Sequence, residues 1–198
     1  LTKLTLIGLP NIPHVQPGGD LAAILVASLE SARLALEPGD ILVVTSKLVS
    51  KAEGRFVDLR TVEPSARART VAEKTRKDPR MVELILREST AISRMRPDVL
   101  IVRHRLGFTL ANAGIDHSNV GRAGEDWVLL LPEDPDRSAA QIRQRLYALT
   151  GVAPGIVISD SHGRPFRIGT VGVAVGLAGF PAIWDKRGQR DLSLIHIS

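Results

Sequence analysis

Apolar residues at three- and four-residue spacing, Leu21, Ile24, Leu25, Leu29, Ala32 and Leu36, follow Asp20 as a candidate N-cap and precede Pro38-Gly39. This pattern predicts a helix from Asp20 to about Leu36. Upstream, residues 4–7 read as a short strand and 8–19 as a loop punctuated by proline and glycine. The continuous apolar run 41–44 predicts a strand buried on both faces. Between 64 and 88 two polar helices are expected, broken at Asp78-Pro79, the second burying Met81, Val82, Ile85 and Leu86. Residues 99–102 form a β-branched run that can pair with 108–111 across a turn near Gly107. A strand at 127–131 follows, then a helix from about Asp136 with Ala139, Ile142, Leu146 and Leu149 on one face and Gly151 at its end. Residues 155–159 read as a short buried strand ending in Asp160, and 171–177 as β structure interrupted by glycine. Strands and helices lack the regular βαβ alternation of a doubly wound sheet, so the predicted class is α+β or mixed α/β.

Composition narrows the function classes. The 198 residues are 44% apolar and 24% charged, as in soluble globular proteins of one or two modest domains. A chain of this size buries roughly 70% of its unfolded surface, enough for a core without crosslinks. It contains no cysteine, which excludes disulfides, thiolate metal sites and cysteine nucleophiles and points to a reducing cytoplasm. Residues 1–10 are too short for a signal sequence, and the uncharged stretch 168–184 is broken by glycine and proline, so no membrane segment is expected. The formal charge of +5 and a pI near 10.1 favour anionic partners. Two Trp, one Tyr and four Phe are too few for a base-stacking platform, and the basic residues are dispersed. A phosphorylated small molecule suits the charge as well as a nucleic acid does.

Neither a P-loop nor a dinucleotide fingerprint is present, and zinc motifs are absent. Asp160-Ser161-His162 is no hydrolase triad, because neighbouring side chains on an extended segment point to opposite faces. His14 and His104 are assigned no role beyond exposed or core polar residues. Three segments carry candidate chemistry. Ser46 to Arg55 places hydroxyls, Lys47, Lys51 and Gly54 after a predicted strand, where α/β sheets gather phosphate contacts; a solvated amphipathic turn is the alternative. Asn112-Ala113-Gly114-Ile115-Asp116-His117-Ser118-Asn119 offers oxygen donors suited to Mg²⁺ or Mn²⁺, although Asn and Asp also favour turns. In the third, a strand delivers Asp160 as a second metal ligand, and Arg164 and Arg167 flank Pro165 where they can grip an anion; surface ion pairs are the alternative.

Together these segments resemble the coenzyme F420-0:gamma-glutamyl ligase family. The resemblance runs through Gly8-Leu9-Pro10 with Pro17-Gly18-Gly19-Asp20-Leu21, Ser46-Lys47 with Ser50-Lys51-Ala52-Glu53-Gly54-Arg55, and Asn112-Ala113-Gly114-Ile115-Asp116 with Ser118-Asn119. It continues through Leu131-Pro132-Glu133-Asp134-Pro135-Asp136, Ser159-Asp160 with Gly163-Arg164-Pro165, and Asp185 with Arg187-Gly188 and Asp191-Leu192. Each motif alone is weak; six in order are specific.

The resemblance implies a mixed α/β fold, a homodimer, and a GTP-dependent ligase that joins L-glutamate to the lactyl carboxylate of F420-0 and extends a gamma-linked tail. It implies two divalent cations, Mg²⁺ or Mn²⁺, and allows for K⁺. Carried over by position, Asp116 and Asp160 are metal ligands helped by Ser161, where the family commonly has threonine. Pro10, Asn11, Ile12, Pro13, Ser46, Lys47, Lys51 and Asn119 contact GTP. Asp116, Asp160 and Lys51 form the catalytic set, with Arg164 and Arg167 for the substrate anion. A metal-dependent phosphohydrolase using the same acidic residues and a basic nucleic-acid-binding domain are the rival readings. The family-like domain covers 1–192, and 193–198 is an atypical tail standing where the family continues with a further metal ligand and a glycine-rich nucleotide loop. From that departure a site open on one side, weak GTP binding and slow turnover are expected.

Overall fold

The computed structural model describes residues 3–117, 126–163 and 168–188 and builds two apolar cores. One joins the two ends of the described chain. Its helix α1, Leu21–Ser31, starts where Asp20 accepts a hydrogen bond from Ala23 N at 3.1 Å. It stops before the predicted Leu36, because Arg33 turns left-handed at φ 56° and Leu34 N–H closes back on Leu29 O at 2.9 Å. Leu36 nevertheless packs on the core beyond the helix.

Strand β1, Ile41–Thr45, pairs parallel with β7, Gly155–His162, which pairs antiparallel with β8, Val171–Ala178, in the order β1-β7-β8. The expectation that β1 is buried on both faces is wrong. It is an edge strand, and Ile41 and Val43 remain 56% and 68% exposed while Val44 faces the core. Helix α5, Pro135–Thr150, covers β7 and β8, with Ala139, Ile142 and Leu146 buried as predicted but Leu149 turned outward. Asp134 caps its start through Arg137 N, and Gly151 ends it at φ 74°. The contact with β8 is close: a Cβ built on Gly176 lies 2.4 Å from the Pro135 carbonyl carbon.

Helix α2, Ser46–Ala52, follows β1 directly and leads into the second core, built from residues 57–130. Strands β2, Phe56–Asp58, and β6, Trp127–Leu129, pair antiparallel across its base. Helices α3, Ala66–Thr75, and α4, Pro79–Arg87, confirm the predicted pair, with Asp78 capping α4 through Arg80 N. Strands β4, Val99–His104, and β5, Thr109–Ala111, form the expected hairpin, with Gly107 at φ 97°. Strand β3, Ser89–Arg96, was not anticipated; it pairs with β4 yet is largely exposed, so no apolar alternation announces it.

The mixed α/β class stands. The predicted strand at 4–7 does not form; Leu4 and Leu6 are 83% and 87% exposed and no described strand pairs with them. Among the described residues no helix is long and apolar enough to cross a membrane.

Candidate active site

The two cores meet where β1 and β7 end side by side. Parallel pairing sets Thr45 opposite Ser159, so Ser46 and Lys47 at the start of α2 lie next to Asp160. Ser46 Oγ donates to Asp160 Oδ1 at 2.7 Å across 114 positions of sequence. The strand does not end at Asp160, as predicted, but runs on through Ser161 and His162.

The second core supplies Asp116. Asn112, Ala113 and Gly114 are consecutively left-handed, at φ 51°, 53° and 67°. The chain then extends, and Asp116 exchanges both backbone hydrogen bonds with Leu129 of β6. Gly114 has no room for a side chain, since a Cβ there would sit 2.7 Å from Leu131 Cδ1. This turn aims the Asp116 carboxylate at Lys47 Nζ, with which it forms an ion pair joining the two cores.

Asp116, Asp160, Lys47 and Ser161 thus line one cleft of about 400 Å³, together with the backbone around Gly114 and Gly163. Its two carboxylates fit a hard cation, and the Lys47 ammonium already places positive charge on Asp116. No cluster of three or more His, Asp or Glu gathers among the described residues, so hydroxyls, substrate phosphates and water would complete the coordination.

Alternation along β7 leaves Ser161 exposed and His162 buried, which bears out the exclusion of a triad. The same alternation puts His162 on the side of Asp160, a relation that i, i+2 spacing in a strand could have revealed. His162 Nε2 lies 3.3 Å from Asp160 Oδ2 without hydrogen-bond alignment. Burial lowers the pKa of the imidazole, outweighing the opposing pull of Asp160. Behind it, Phe108 packs against His162 and stacks on the fully buried His104.

Other predicted residues take varied places. Lys51 is buried in the last turn of α2 with no side-chain partner among the described residues, although it does not line the Asp116 cleft. Pro10 O accepts from Ser28 Oγ of α1, Asn11 is left-handed at φ 57°, and Ile12 packs on the first core; Pro13 is exposed. This loop lies outside the lining of the cleft. Two motif positions hold the fold together. Arg55 forks onto Glu88 and donates to Leu131 O, and Glu53 accepts from Glu133 N and Ser138 Oγ. Asn119, Arg164, Arg167 and the tail 193–198 lie outside the described residues.

A family model described as F420-0:Gamma-glutamyl ligase matches residues 10–194. The chain belongs to the F420-0:gamma-glutamyl ligase family. It is 49% identical to the coenzyme F420:L-glutamate ligase of Methanopyrus kandleri over 97% of this chain and 73% of that protein. The ligase of the same name from Methanothermobacter thermautotrophicus is 46% identical, over 96% of this chain and 74% of its own length. That from Halorubrum lacusprofundi is 42% identical over 95% and 72%.

Proposed function

We propose that this F420-0:gamma-glutamyl ligase family member is a coenzyme F420:L-glutamate ligase that uses GTP to activate the lactyl carboxylate of F420-0 for attack by L-glutamate. The supporting observation is the cleft itself, where Asp116 and Asp160 converge from separate cores beside Lys47 and Ser161. A carboxylate is a poor electrophile. In this reading the γ-phosphoryl group moves from GTP to a carboxylate oxygen, releasing GDP. The glutamate amine then attacks the acyl carbon, phosphate leaves, and a proton is lost as the amide forms.

Asp116, Asp160 and Ser161 would hold two divalent cations, Mg²⁺ or Mn²⁺. Bound there, the cations would neutralise the triphosphate and polarise the group being transferred. Ser46 fixes the Asp160 carboxylate by donating to Oδ1, leaving its other oxygen for ligation. Lys47 balances Asp116 in the free enzyme and can swing to a phosphate when a cation takes its place. Lys51, a buried ammonium without a counter-ion among the described residues, is suited to a phosphate oxygen. The 10–13 loop and Asn119 are assigned to GTP and Arg164 and Arg167 to the substrate anion, in a homodimer.

Incubation with F420-0, GTP, L-glutamate and Mn²⁺, read by mass spectrometry, should show glutamyl addition. Asp116→Asn and Asp160→Asn should each abolish it with the melting temperature held, since each removes a ligand charge at nearly constant volume. Near-normal ligation by either variant at saturating metal would remove that residue from the role. GTP turnover independent of glutamate would favour a phosphohydrolase, and steeply salt-dependent nucleic-acid affinity without GTP use would favour a binding domain.

A further inference from the structure

Among the described residues, two imidazole nitrogens are buried without a hydrogen-bond partner, Nε2 of His104 and Nε2 of His162. The first belongs to the interior of the second core. Leu106 N–H donates to His104 Nδ1 at 3.1 Å, so that nitrogen is the acceptor and the proton sits on Nε2, which faces Glu88 Oε2 at 3.6 Å. The second stands behind the cleft. His162 Nε2 lies 3.3 Å from Asp160 Oδ2, and with almost no accessible surface it is out of reach of any molecule in the cleft. Whatever it does for the site runs through a protein group.

The His162 ring is held from behind. Phe108 packs on it at a centroid distance of 5.3 Å and stacks in turn on His104 at 5.2 Å with the planes 10° apart, so the buried His104 anchors a row of three rings that ends at Asp160. The carboxylate is the freer partner. Ser46 Oγ holds its Oδ1 at 2.7 Å, and a small rotation there swings Oδ2 relative to the ring. A bare ring nitrogen facing a carboxylate oxygen would set lone pair against lone pair, and a buried polar atom left unmatched costs stability. Both costs vanish when Nε2 carries the proton and Oδ2 turns onto it.

We propose that His162, as the Nε2–H tautomer, is a positioning residue that locks the Asp160 carboxylate for cation binding. The inference rests on the ligase reading in one respect, that Asp160 holds a divalent cation. With Ser46 on one oxygen and His162 on the other, the plane of the carboxylate is fixed from two elements, α2 and β7. Each oxygen keeps a second lone pair for the cleft. Removing such a partner of a ligating group typically weakens metal binding about tenfold to a hundredfold.

The test titrates the full chain with Mn²⁺ alone, free and bound metal being distinguished by electron paramagnetic resonance. His162→Leu, which fills nearly the same volume without a donor, should raise the Kd about tenfold, whereas His162→Gln, whose amide nitrogen can stand where Nε2 does, should stay within about threefold of the unsubstituted chain. In an Asp160→Asn background His162→Leu should add no further loss, because the histidine acts through that carboxylate. The tautomer is read without any variant: long-range ¹H–¹⁵N correlation spectra of the metal-free protein should show His162 protonated on Nε2 and bare on Nδ1. A proton on Nδ1, an unchanged Kd in His162→Leu, equal losses in the Leu and Gln variants, or a loss that persists in Asp160→Asn overturns the positioning role. If the unsubstituted chain binds no Mn²⁺, the cation reading of Asp116 and Asp160 falls and the positioning role with it. His162-dependent Mn²⁺ binding in a chain that transfers no glutamyl group overturns the ligase reading and retains the positioning role.

Discussion

Glu88 should set the acid limit of stability. At the C-terminal end of α4, its side chain is only 14% exposed, accepts from Arg55 and Arg105, and faces His104 Nε2 at 3.6 Å. Burial by itself would raise the carboxyl pKa, but the imidazole and the two guanidinium charges outweigh it and hold the value at about 2, against 4.5. A folded pKa below the unfolded one stabilises the protein above pH 4.5, and the contribution drains away as pH falls toward 2. The full separation is worth about 3 kcal/mol at pH 7, of which roughly 1.4 kcal/mol remains at pH 3. Glu88→Gln abolishes the titration and leaves Arg55 and Arg105 unmatched. Urea unfolding should therefore find the variant about 3 kcal/mol less stable at pH 7, with the gap narrowing by about 2 kcal/mol at pH 3. A gap that stays constant from pH 7 to pH 3 would show that Glu88 acts through packing rather than charge, and the argument from its neighbours would fail.

Lys51→Ala should raise the Kd for GTP roughly tenfold to hundredfold, the worth of a charge-assisted contact to phosphate, in calorimetric titration. Unchanged affinity would return Lys51 to a purely local place in α2. Gly176→Ala should destabilise by about 1–3 kcal/mol, because the added methyl meets backbone of Pro135 that cannot rotate away. Thermal unfolding checks this, and a neutral result would mean that α5 can lift from β8 freely.

Local signals carried much of the fold and part of the site. The cap at Asp20, the break at Asp78-Pro79, the turn at Gly107 and the stop at Gly151 each act within a few residues, which is why the start of α1, the start of α4, the β4–β5 turn and the end of α5 could be read directly. Strand β3 and the end of α1 could not, since β3 is held by pairing with β4 rather than by a buried face, and α1 stops at a left-handed arginine that carries no propensity signal. The burial of β1 was misjudged because an apolar run is equally compatible with an edge strand whose second face stays open. The motifs marked residues that line the cleft, but not which of them pair. That Lys47 faces Asp116, that Ser46 holds Asp160, and that His162 sits behind it depend on long-range pairing that no short window contains.

The β2–β6 pair at the base of the second core has a kinetic meaning. Ser46 and Asp160 stand 114 positions apart, and closing a flexible loop of that length costs about 4 kcal/mol of chain entropy. Phe56 and Leu129 stand opposite each other in the β2–β6 pair, so once the intervening stretch has folded, its two ends emerge side by side and the chain left to close is the ten positions from Ser46 to Phe56 and the 31 from Leu129 to Asp160. The stretch behaves as a guest inserted into a host made of both chain ends, and the host's parallel β1–β7 pairing can form rapidly only after the guest has. Amides of β1 and β7 should therefore gain protection after those of α3, α4 and β4 in pulsed hydrogen exchange, with the cleft between Asp116 and Asp160 the last part of the molecule to be assembled.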